Sequence, residues 1–163
     1  MRNLLLLAVC ALGIGFVARG GETVLPGDKI STEYLTQLFE ANGGYTVAPP
    51  DSDGDIRIKN TETGASCWAD VNKGQEIKFF SVWNIKDEVS ELRKLRFVNE
   101  FNRKFRVVKA SVGGKDQTAI VLEYDLLHME GITDKQILNA LERFISLSTR
   151  SLTELDKDFE IIK

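Results

Sequence analysis

The chain has few of the residues that most often do chemistry. It holds one histidine, His128, in 163 residues. A metal site built on two histidines is therefore excluded, and a Ser-His-Asp arrangement would depend on this one ring. His128 lies in "LLHMEG", a connector between a strand and a helix, where a structural or solvated role is expected. Only two cysteines are present. Cys10 falls in the apolar N-terminal run, which leaves Cys67 as the lone thiol of the rest. It stands in an alternating apolar stretch, so burial as a small inert side chain is expected. No glycine-rich phosphate loop is found: Gly13 and Gly15 lie in the N-terminal run, and Gly113 and Gly114 read as a hairpin connection. Basic clusters are missing too. With 21 Lys and Arg against 24 Asp and Glu, the chain is not expected to bind nucleic acid or an anionic membrane surface.

Long apolar runs are also lacking, with one partial exception. Residues 4–18 carry no charge and follow Arg2. This run is shorter than the roughly 20 residues that a bilayer span needs. Ala18 and Gly20 place small residues at the −3 and −1 positions of a cleavage point after Gly20. A positive n-region, a short apolar core and small residues before the cut make a secretory signal peptide. Residues 1–20 are read as that leader, with a retained anchor as the alternative. Removal of Arg2 and Arg19 leaves 19 cationic side chains against the 24 anionic ones, a formal −5. The expected location is periplasmic or secreted, with no integral span after cleavage. Residues 21–30 read as a linker, and residues 31–160 as one domain.

The domain alternates helical and strand patterns. Ser31 or Thr32 caps a helix whose Tyr34, Leu35, Leu38 and Phe39 recur at helical spacing, and Gly43 and Gly44 end it. "YTVA" is a short strand stopped by Pro49 and Pro50. "GDIRIKN", "ASCWADV" and "EIKFFSVW" follow as an antiparallel meander, the last the best central strand. A helix is expected over residues 87–103, with Val89, Leu92, Leu95, Val98 and Phe101 or Asn102 in its stripe and Phe97 widening it. "FRVVKASV" and "QTAIVLEYDL" form a hairpin. Thr133 and Gln136 make the capping box of a long last helix, whose stripe runs through Ile137, Leu141, Phe144, Ser148, Leu152, Leu155 and Phe159. The order helix, three strands, helix, two strands, helix, with a short extra strand before the prolines, predicts an α+β fold. One twisted antiparallel sheet should carry its helices mainly on one face.

One motif looks like a metal site. In "PPDSDGDIRIKNTE", Asp51, Asp53 and Asp55 alternate as in a calcium loop, and Glu62 stands at the twelfth place. Such a loop needs glycine at its sixth position, where Ile56 stands. Arg57 and Lys59 follow, and a strand begins. The stretch therefore reads as a turn, with Asp51 and Asp53 supplying side-chain bonds to the backbone and Gly54 the flexible point. No catalytic or metal residue is assigned. Asn99 and Asn102, near a helix end, form either a polar recognition pair or, better, a local tie that satisfies backbone carbonyls and fixes the chain's turn into the next strand.

From residue 32 to 157 the chain resembles the YbjN family. The resemblance is carried by "DGDIRIK" at 53–59, "KLRFVNEFNRKFRVVKASV" at 94–112 and "GITDKQILNALERFISLS" at 131–148. It implies a bacterial sensory transduction regulator with a fold of the type III secretion chaperone kind, one that dimerises and binds segments of other proteins. It implies no catalytic residues and no cofactor. Trp68, Phe80, Val82 and Trp83 are the expected interaction face, because helices on one side of a sheet leave the other to a partner. The function expected is an exported, non-enzymatic protein-binding module that docks a protein, a peptide or its own copy on a sheet face or edge. The alternative is a small periplasmic enzyme using clustered carboxylates.

Overall fold

The computed structural model describes residues 23–72 and 75–163. The expected leader, residues 1–20, lies outside them, as do Lys73 and Gly74 of the expected turn before the third long strand. The elements run α1 (Thr32–Ala41), β1 (Tyr45–Val47), β2 (Ile56–Asn60), β3 (Ser66–Asn72), β4 (Glu76–Asn84), α2 (Glu91–Lys104), β5 (Lys109–Gly113), β6 (Ala119–Leu127) and α3 (Asp134–Phe159). All six strands join one antiparallel sheet in the order β1-β2-β3-β4-β6-β5. The expected order is therefore found, and the short strand before the prolines becomes the sheet's first edge.

Strand pleating sorts the side chains. Ile56, Ile58, Cys67, Ala69, Ile77, Phe79, Ile120 and Leu122 all point to one face and are buried. Leu35 and Phe39 of α1, Phe97 and Phe101 of α2, and Ile137, Leu141 and Phe144 of α3 close over them in a single core. Each described helix thus packs on the same side, because each has an apolar stripe and the sheet has one largely apolar face, with Ser81 its buried polar exception. Phe79 lies 6.5 Å from the Phe39 ring and 6.3 Å from that of Phe144, centroid to centroid, tying two helices to the central strand.

Local signals account for the helix ends. Ser31 accepts a hydrogen bond from the Tyr34 N–H, and Thr133 and Gln136 form the expected reciprocal capping box. The second helix starts at Glu91, not Asp87. Asp87 and Glu88 sit in a turn that brings Val89 down onto the core, its N–H bonded to the Lys86 carbonyl. The fifth strand starts at Lys109, four residues later than "FRVVKASV" suggests. Phe105 caps α2 through its N–H to Phe101, and Val108 plugs the core from irregular backbone. The segment expected as a linker is packed from Leu25 onward. Leu25 bridges Ile132, Ile30 is buried, and Gly27 lies so close to His128 that an added Cβ would come within 2.6 Å of the His128 carbonyl oxygen.

Candidate functional site

The face that carries none of the described helices is ordered by strand register. Arg57, Trp68, Phe80, Glu123 and Lys109 are successive partners across five strands. Trp68 and Phe80 stack, with centroids 5.9 Å apart and planes 17° apart. The Arg57 guanidinium lies 5.3 Å from the Trp68 ring centre, a cation–π contact, and donates to Ser66 Oγ at 3.4 Å. In the neighbouring row Lys78 stands between Asp70 and Asp125. Opposite charges in register suit a solvated face. Val82, 43% exposed, opposes Val121 beside the aromatic pair.

Three of the four residues expected to form an interaction face are therefore together: Trp68, Phe80 and Val82. Trp83 is on the other side. It opposes the buried Ile120, packs against the core, and its indole N–H donates to Ser81 Oγ at 3.0 Å. Parity along β4 decides this: odd positions from Ile77 to Trp83 face the helices, and even positions face away.

A concave feature lies on the helix side. A groove of about 780 Å³ runs between the polar flank of α3 and the Tyr45, Asn60 and Ala65 end of the strands. Ile145 contributes to its apolar floor, and three acids, Glu62, Glu142 and Glu154, outnumber its two bases, Arg150 and Lys157. Burial, followed by the nearby Glu142 carboxylate, holds the Tyr45 phenol above its ordinary proton affinity. No pattern in the sequence marks this groove, since its walls come from two distant segments, Tyr45 to Ala65 and Glu142 to Lys157, that carry no shared motif.

The remaining candidates have structural roles. Asp51 Oδ1 accepts from the N–H groups of Asp53 (2.9 Å) and Asp55 (3.1 Å), and Gly54 holds φ at +94°. "DSDGD" is thus a turn, made by the Asp51 side chain; that of Asp53 makes no bond among the described residues. Glu62 belongs to a separate turn in which its N–H and that of Thr63 donate to Asn60 Oδ1. Asp55 is less acidic than an ordinary carboxyl because it is partly buried and because Asp70, Asp51 and Asp53 are near. Cys67 is buried, and its thiol is pushed up to about 12 by desolvation, which makes it inert. His128 is buried with both ring nitrogens unpartnered among the described residues. Asn102 does fix the next strand: its amide donates to the Ala110 carbonyl at 2.9 Å and accepts from the Ala110 N–H at 2.8 Å.

Comparison with known proteins follows this architecture. Residues 31–157 match the family model YbjN, described as "Putative bacterial sensory transduction regulator". No curated protein matches. Among solved structures, that of "YbjN, a putative transcription regulator from E. coli" is similar at 14% identity, with a TM-score of 0.69 over 82% of this chain and 96% of that one. An uncharacterized protein from Methanothermobacter thermautotrophicus is similar at 9% identity, with a TM-score of 0.56 over 80% of this chain and 99% of that one.

Proposed function

The chain belongs to the YbjN family, and from that premise we propose that it is an exported, non-enzymatic module that binds another protein on the uncovered face of its sheet. One observation carries the reading. The stacked Trp68 and Phe80, with exposed Val82 beside them, sit at the centre of the sheet face that no described helix covers. Aromatic groups ringed by paired charges are the usual make-up of a protein interface, in which a few large side chains supply most of the affinity. The acidic balance of the chain favours a protein partner over nucleic acid. A regulatory role fits the family description. Export is supported by Arg2, the apolar run of residues 4–18, and Ala18 and Gly20.

The test compares proteins retained by the wild-type chain and by Phe80→Glu, once the two show the same melting temperature. A partner retained by the first and lost by the second supports the reading; identical retention by both counts against it. N-terminal sequencing of the protein from fractionated cells checks export. A periplasmic or secreted form starting at Gly21 is expected, and a chain that keeps residues 1–20 would remove that part.

A further inference from the structure

The two edges of the sheet are finished differently. At the β5 edge the Asn102 side chain bonds both the N–H and the C=O of Ala110, so a side chain occupies the place of a neighbouring strand. At the β1 edge nothing among the described residues does this. The ladder with β2 uses the carbonyl of Gly44, which accepts from the Thr61 N–H at 3.0 Å, and the N–H of Ala48, which donates to Arg57 at 2.9 Å. Antiparallel alternation then turns the N–H and C=O of Tyr45 and Val47 outward. Those four groups have no hydrogen-bond partner among the described residues.

Tyr45 belongs both to this edge and to the groove. Its ring lies within the field of Glu142, a carboxylate without a cationic partner among the described residues.

We propose that the β1 edge and the adjoining groove form one site, which takes an extended, basic segment of a partner protein as a seventh strand. This rests on the reading of a protein-binding module and names the chemistry of its partner. Donors and acceptors repeating every second residue, roughly 7 Å apart, match only an extended chain. Alternate side chains of that chain fall on the helix side, where the groove begins. The one beside Tyr45 meets the Glu142 carboxylate, which selects lysine or arginine. The groove's volume lies within the roughly 300–1,000 Å³ range of ligand pockets.

The probe is a labelled hexapeptide of alternating valine and lysine, added to the full-length protein. A valine–glutamate version and a proline-interrupted version serve for comparison. The valine–lysine peptide is expected to bind, to shift the amide resonances of Tyr45 and Val47, and to slow hydrogen exchange at Val47. The other two peptides should bind about tenfold more weakly or worse, the loss expected for one or two hydrogen bonds or one charge pair. Val47→Pro removes an outward N–H without touching the β2 ladder, so it should weaken binding about tenfold. Glu142→Gln should do the same and flatten the salt dependence. Slowed exchange at Val47 is read in the wild-type chain, so it needs no variant to fold. The proposal is overturned by absence of binding, by shifts confined to Trp68 and Phe80, or by self-association that Val47→Pro abolishes. A partner whose retention depends on Phe80 and not on Val47 would leave the module reading standing and remove this site.

Discussion

Phe79 and Phe80 are adjacent on β4 and occupy different environments. Phe79 is fully buried and touches the rings of Phe39 and Phe144, so it joins α1 and α3 to the sheet. Phe80 faces away from every described helix and stacks on Trp68. The side chains are identical, and only the pleat separates them. One is part of what holds the fold together. The other lies outside the core.

The sharpest way to break this comparison is to truncate both rings. Phe79→Ala opens a cavity in a closed core and should cost about 3–5 kcal/mol in urea unfolding. Equal losses at Phe79 and Phe80 would mean that both faces bear on stability alike. Asn102→Ala tests the closed edge; leaving both Ala110 backbone groups without their partner should cost about 1–3 kcal/mol. Phe80→Ala should lose only the stacking and cross-strand contact, about 1 kcal/mol or less. The smallest effect is expected at Asp55. Its folded proton affinity is raised, so the native state holds this proton more tightly than the unfolded chain. Wild-type stability contributed here is present below the ordinary carboxyl value of 3.8 and is lost as pH rises through the raised one. Asp55→Asn should therefore melt slightly higher at pH 7, within about 0.5 kcal/mol. The difference should close on acidification, as followed by thermal melts across pH.

Most of the fold was legible because it rests on two periods. The alternation in "GDIRIKN" and "ASCWADV" named the buried residues of β2 and β3, and the capping box at Thr133 placed the start of α3. Legibility failed where apolar residues serve irregular backbone. Phe105 and Val108 look like strand residues and instead close the end of the core. The expected interaction face was read by side-chain size, which grouped Trp83 with Phe80. Strict parity would have set Trp83 with Phe79, where the structure has it. The groove was not legible at all: Tyr45 and Asn60 meet Glu142 and Arg150 only after α3 has crossed the sheet. The strand edges lay between these extremes. The reading of Asn102 as a tie into the next strand was available from its place at a helix end, but its partner Ala110 was not.

That tie has a consequence for motion. The Ala110 amide is held by a helix side chain and not by a neighbouring strand. Its exchange with solvent deuterium then requires α2 to loosen at Asn102, whatever the sheet does. Ala110 should share its opening free energy with the last turn of α2, making helix and strand one cooperative unit on the slow timescale of local unfolding. The amides of Tyr45 and Val47, which have no such partner, should exchange early. One experiment in deuterated buffer would thus separate an edge whose amides exchange without any opening from one whose amide waits on a helix.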